Sequence, residues 1–273
     1  MMPLFFLLHK YLLHKDTFLE KSGIFLKKVE KIMNTRIFSL VMKHLKDTFS
    51  LPKYDGLQLD ENSVIDELPF TPVRREKFAQ AIMHELDIEH LDLIGTVEDF
   101  VQSLDTFYMK RFFGEIWQPN TDDHTFSGWS IVDRINERDP KNVLDFGCGY
   151  NQFKPRIKNL TGIDPFNENA DYMVDILEFN VDEKYDHMIV FGSLNFGNET
   201  DIRTRFDKLY NLLDTGGRMY FRVNPGILWP KGPYVDIFPW SFEFAYKLAK
   251  EYNCTLEQYK KDKKRFYFEL LKV

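Results

Sequence analysis

Apolar residues recur along this chain with two different periods, and the period changes near its middle. Between Asn34 and Pro52 the apolar positions Ile37, Leu40, Val41, Leu45 and Phe49 stand at near-helical spacing, which predicts a helix closed by Pro52. A second helix is predicted from Pro72 to Leu86, with proline in the first turn, where its missing N–H costs little. A third begins at Thr96, where Thr96-Val-Glu-Asp99 is a capping box with Asp in place of Glu, and carries Val97, Phe100, Val101 and Leu104. Residues 34–106 therefore read as a small helical bundle. An aromatic connector follows over residues 107–123, with Phe107, Tyr108, Phe112, Phe113 and Trp117; it either lies over a ligand mouth or packs a domain junction.

From residue 124 the pattern shortens. After a helix predicted over residues 127–137, stopped by Asp139-Pro140, apolar runs fall at 143–146, 160–163, 172–174, 187–191, 218–223 and 267–271, with a weaker one near 254–258. A helical face over residues 201–213 carries Ile202, Phe206, Leu209 and Leu213, and Gly216-Gly217 is expected to end that helix. Such alternation predicts an α/β fold with a mostly parallel sheet over residues 124–273. At the other end, residues 1–33 form an extension whose apolar opening is broken by His9-Lys10, so neither a signal peptide nor a membrane span is expected. Residues 16–33 are Lys-rich and amphipathic, consistent either with an extra helix or with a poorly ordered leader ahead of a start at Met33.

Charge and cysteine content narrow the classes. The net charge of −6 gives no global attraction to nucleic acid or to an anionic membrane. It is unevenly spread: residues 35–107 hold seven Lys/Arg against fourteen Asp/Glu, whereas residues 260–265 are locally basic. Two cysteines, Cys148 and Cys254, are too few for a disulfide framework and fit a reducing, cytoplasmic setting; no metal-ligand spacing is present.

The candidate chemistry centres on Asp145-Phe-Gly-Cys-Gly149, a strand breaking into a glycine turn that lets a backbone approach a nucleotide-like ligand. Fifteen residues after Gly149 stands Asp164, at the end of another apolar run, where a carboxylate can accept hydrogen bonds from a ribose diol. A dinucleotide fold wants a third glycine, and Gln152 takes that place. Asp145 is also an unhelpful charge beside phosphates but a suitable partner for an ammonium. The turn therefore favours S-adenosylmethionine, which carries an ammonium, a sulfonium and a ribose but no phosphate.

On these residues the stretch from about 124 to 273 resembles the class I S-adenosylmethionine-dependent methyltransferases. That resemblance implies a Rossmann-like sheet with an antiparallel C-terminal pair, and a transferase activity. It implies a cofactor site made by Asp145, Phe146, Gly147, Cys148 and Gly149, by Asp164 and Pro165, by Asp175 with Ile176 at the adenine, and by Gly192, Ser193 and Leu194. Signatures of base-modifying enzymes are absent after the fourth run, where the chain reads Gly192-Ser-Leu-Asn-Phe-Gly197. Nucleic acid is accordingly not favoured as acceptor, and a small molecule or partner-bound substrate is. Asn195, Tyr150, His124 and Asp186 are the nearest polar candidates for a catalytic role. The loop over residues 224–239, with four prolines, Trp229, Tyr234 and Phe238, is either an acceptor-binding wall or a stiff connector.

Residues 35–105 resemble an acyl carrier protein, on the order of an opening helix, Ile65-Asp-Glu-Leu68, a long helix and a closing Thr96-Val-Glu-Asp-Phe-Val101 helix. Pro72, with Thr71 beside it, stands where that family has its phosphopantetheine serine. The resemblance thus implies a docking role toward a protein partner without carrier chemistry. Two other readings stay open: a non-catalytic binding protein on the same scaffold, and an RNA methyltransferase using residues 260–265.

Overall fold

The computed structural model describes residues 33–117, 128–226, 234–261 and 265–273, and residues 33–273 form one compact unit. The N-terminal extension, His124, the start of the helix expected at Ser127 and the centre of the proline-rich loop lie outside the described residues.

Three helices build the first part. Helix α1 (Thr35–Thr48) starts at Asn34, whose side chain accepts from the Arg36 and Ile37 N–H groups at 3.0 and 3.1 Å. Helix α2 (Pro72–Leu86) is capped by Thr71 and ends on Asp87 in a left-handed conformation. Helix α3 (Val97–Arg111) opens with the reciprocal Thr96–Asp99 box and runs past the boundary expected at 106. It runs on because Leu104 and Tyr108 extend its buried stripe. A wide π-type turn, Phe112–Ile116, follows. The helices bury Ile37, Val41 and Leu45 against Phe78, Ile82, Phe100 and Val101.

Helix α4 (Ser130–Asn136) leads into a six-stranded sheet: β1 (Val143–Phe146), β2 (Leu160–Ile163), β3 (Tyr185–Phe191), β4 (Leu213–Val223), β5 (Cys254–Lys261) and β6 (Phe266–Lys272). Their order is β2-β1-β3-β4-β6-β5, parallel from β2 to β4, with β6 antiparallel to both β4 and β5. This is the mostly parallel, Rossmann-like sheet with a reversed C-terminal strand that the methyltransferase resemblance implies. Helices α5 (Glu199–Leu212) and α6 (Phe242–Glu251) cover one face over Met188, Met219, Phe221 and Phe268. Helix α4 covers part of the other over Val143, Ile189 and Tyr220.

Two expectations are corrected. Gly216-Gly217 does not end α5, which stops at Leu212; the pair lies inside β4, where the register against β3 shifts between Tyr185 and His187. The glycines are needed because Gly216 takes φ +78° and a Cβ on Gly217 would stand 2.8 Å from the Asp214 carbonyl oxygen. Residues 172–174 make no strand, only a single parallel bridge from Tyr172 to Ile163. The connections from β1 to β2 and from β2 to β3 are turns without a helix, built from short runs rich in Asn, Asp and Pro.

Candidate functional site

The carboxyl ends of β1, β2 and β3 meet at the glycine turn. The Gly147 and Cys148 N–H groups both donate to the Ile163 carbonyl at 2.8 and 3.1 Å, folding the turn back over β2. Gly147 has φ +72°, and a Cβ there would come within 2.4 Å of the Ser193 Cβ, so only glycine lets the ends of β1 and β3 close up. The Gly149 N–H donates to Asp164 Oδ2 at 3.0 Å, while Asp164 Oδ1 accepts from Phe166 and Asn167 at 2.8 and 3.0 Å.

Asp145 is held differently. Only 3 % exposed, its carboxylate makes no hydrogen bond or ion pair to any described residue. Burial, and then the charge of Asp164, push its pKa up to about 8. Asp164, 8 % exposed, is also raised by burial, against the pull of its three N–H donors. Burial likewise pushes the Cys148 thiol up, with Asp145, Asp164 and Asp171 adding to it, which disfavours the thiolate and leaves this cysteine a small packed side chain. The Ser193 hydroxyl, against Gly147, is buried without a hydrogen-bond partner, as is the Asn167 amide nitrogen.

The structure thus gathers Asp145, Gly147, Gly149, Asp164 and Ser193 at the carboxyl end of the sheet, with Pro165 half-buried beside them. Other expected residues are engaged elsewhere. The side chains of Phe146, Ile176 and Leu194 lie in the main core, and Ile176 has no exposed surface to offer an adenine. Asp175 accepts from the Leu177 N–H at 2.9 Å and pairs with Arg205 at 3.4 Å, tying its turn to α5. It does not stand at a strand end, because the segment before it forms no strand. Gly192, at φ +82°, donates its N–H to the Arg222 carbonyl and turns the chain out of β3.

Among the catalytic candidates, Asn195 is a brace: its Oδ1 accepts from the Asn224 N–H at 2.9 Å and its carbonyl from Phe238 at 2.8 Å. Asp186 sits at the opposite end of β3, where it accepts from the Lys141 and Asn142 N–H groups. Tyr150 stays beside the turn, half-buried. His124 lies outside the described residues.

The connector supplies what the motif residues do not. Phe113 packs on Phe166 after β2 (6.2 Å between rings) and on Phe196 after β3 (5.0 Å), and Trp117 lies on Gly149 after β1. The aromatic content of residues 107–123 was the sequence signal for this roof, although Phe107 itself points outward, 57 % exposed. The described end of the proline-rich loop joins the helices instead of standing free. Val235 is buried in their core, Thr35 donates twice to Asp236 at 2.8 Å, and the Asn34 amide donates to the Tyr234 carbonyl at 2.8 Å.

Fold and site together define a Rossmann-like α/β domain with an acid-bearing glycine turn, roofed by a helical module. No protein-family model and no curated protein sequence matches the chain. Among solved structures it is similar to the N-methyltransferase NodS of Bradyrhizobium japonicum WM9 in complex with S-adenosyl-L-homocysteine, at 18 % identity over 60 % of this chain and 96 % of that one, TM-score 0.46. It is similar to the 1,6-didemethyltoxoflavin-N1-methyltransferase of Burkholderia thailandensis, at 14 % identity over 64 % and 89 %, TM-score 0.49. A third is the magnesium protoporphyrin IX methyltransferase of Synechocystis PCC 6803 with bound S-adenosylmethionine, at 12 % identity over 62 % and 97 %, TM-score 0.45. These likenesses are weak, and the fold rests on the strand order and register described above. No helix among the described residues is long and apolar enough to cross a membrane.

Proposed function

We propose that this chain is an S-adenosylmethionine-dependent methyltransferase acting on a small-molecule or partner-bound acceptor. The observation that carries this reading is Asp145: a buried carboxylate at a glycine turn, raised to about 8, with no donor from the described protein and a second acid beside it. An unpaired buried acid is costly unless a cation completes it. Two such acids repel a phosphate, so a dinucleotide is disfavoured and a cationic nucleoside ligand fits.

Within that reading Asp145 holds the ligand's ammonium, and the turn through Gly147 and Gly149, closed on one side by Ser193 and on the other by Trp117, lies beside its amino-acid arm. Asp164 spends three of its roughly four acceptor sites on backbone N–H groups. It therefore has room for a single further hydrogen bond to a ribose hydroxyl. When bound, S-adenosylmethionine supplies a methyl group already activated by its sulfonium. What this chain adds is alignment of the acceptor and, through the aromatic roof, exclusion of water. No general base is assigned.

The helical module is proposed to wall the acceptor chamber and to dock a partner through its acidic surface. Thr71 is used as the cap of α2, accepting from the Arg74 N–H, and Pro72 has no hydroxyl, so a carrier role is not part of the proposal.

The test is calorimetric titration of the full chain with S-adenosylmethionine at pH 6.5 in two buffers of different ionisation enthalpy. Binding is expected with release of about one proton, since the incoming cation deprotonates Asp145, whereas the ligand's α-amino group is already protonated at that pH. Asp145→Asn is expected to bind at least about tenfold more weakly and to release no proton. Absence of binding by the parent chain sinks the reading. Labelled-methyl transfer into fractionated metabolites, protein, RNA and DNA then identifies the acceptor, and incorporation into RNA alone would favour the RNA reading.

A further inference from the structure

We propose that Trp117 is a cofactor-binding residue, its indole lying on the glycine turn so that the ligand's charged amino-acid arm packs against it. The inference rests on the methyltransferase reading above and assigns a residue outside every motif that suggested it.

Three features fix the ring in place. The π-type turn closes with the Trp117 N–H donating to the Phe112 carbonyl at 2.7 Å, and turns of this kind are frequent at functional sites. A Cβ built on Gly149 would meet Trp117 Cζ3 at 2.9 Å and Cη2 at 3.5 Å, so the indole stands directly on the glycine. Phe113 packs beside it, 6.4 Å between rings, and Gly114 holds the same turn to the segment after β2, so close to the Phe166 carbonyl that a Cβ would stand 2.9 Å from its oxygen.

Its chemical surroundings then matter. Gly149 is the residue whose N–H is donated to Asp164, and Asp145 opens the same turn. The indole therefore borders a place that two carboxylates make attractive to a cation, and an aromatic face attracts a cation through its quadrupole, Trp more than Phe or Tyr. A ring placed only to fill a junction has no need to stand on a side-chain-free position next to two buried acids. The glycine keeps the ring close to the turn.

The experiment compares S-adenosylhomocysteine, which has the amino-acid arm, with 5′-methylthioadenosine, which lacks it, by calorimetry on the full chain as parent, Trp117→Phe and Trp117→Leu. Trp117→Leu is expected to weaken S-adenosylhomocysteine by about 5- to 30-fold while leaving methylthioadenosine within about twofold, and Trp117→Phe to recover most of the loss. Equal weakening of both ligands, or of neither, overturns the proposal and leaves the methyltransferase reading standing. A parent chain that binds neither ligand overturns both. Should Trp117→Leu fail to fold, tryptophan emission decides: S-adenosylhomocysteine is expected to change it in the parent and not in Trp117→Phe. An equal change in both counts against the inference.

Discussion

At the starts of α1, α2 and α3 the chain satisfies its own backbone within three residues, through Asn34, Thr71 and the Thr96–Asp99 pair. At the end of β1 it does the opposite, burying Asp145 with no described donor and a like charge nearby. The helix starts of the module follow the local rules that stabilise a fold; the glycine turn breaks one by burying an acid beside another, and on the proposed reading a cationic ligand completes it. The capped helix starts and the proposed cofactor turn are thus separated in space, although the aromatic roof and the clasp around Asp236 join the two regions mechanically.

The largest effect is expected from cutting into the module's core. Phe100 is almost fully buried and extends the aromatic chain through Phe78 and Phe70 to Phe49. Phe100→Ala is expected to cost about 3–5 kcal/mol in chemical denaturation. Because Val235 is buried in that same core, the loss should appear in a single transition that includes the sheet. Two resolved transitions, with only the helical signal shifted, would show the regions to be independent and break the mechanical half of the comparison.

At the turn, substitution should have the reverse sign. Asp145 is raised from 3.8 to about 8, so the folded state holds that proton more tightly than the unfolded chain. Its contribution is most favourable below pH 4 and falls as pH rises toward 8. Asp145→Asn removes the titration. Relative to the parent it should gain about 1 kcal/mol per pH unit between pH 5 and 8 and then level off. Denaturation at pH 5, 6.5 and 8 measures this, and a gap that does not change with pH would mean that Asp145 is already paired.

Much of this was legible beforehand, for reasons that differ by region. The helices could be read because their caps and apolar spacing are local, and α2 was expected at the bounds it has, Pro72–Leu86. That Asp145, Gly147, Gly149 and Asp164 meet at one turn could be read because a tight turn and a strand-end acid are local as well. What could not be read depends on contacts distant in sequence. Nothing near Asp175 or Ile176 shows that the chain ahead of them fails to pair as a strand, which turns Ile176 into the core. Nothing near Asn195 announces that its amide is claimed by Asn224. The glycine pair at 216–217 misled because a helix end and a strand bulge need the same positive φ.

The smallest effect sharpens the comparison from the side of the module. In the box at α3, the Asp99 N–H donates to Thr96 Oγ1 at 3.1 Å and the Thr96 N–H to Asp99 Oδ2 at 3.1 Å, both at an exposed helix start. Thr96→Ala leaves the Asp99 N–H to water and is expected to cost about 1 kcal/mol. The cost should be the same with and without S-adenosylmethionine, because the box lies at the opposite end of α3 from the turn that leads to Trp117. Denaturation curves at several ligand concentrations make the comparison. A cost that grows with ligand would mean that the two regions are coupled along α3, and that the caps of the module serve the site as well as the fold.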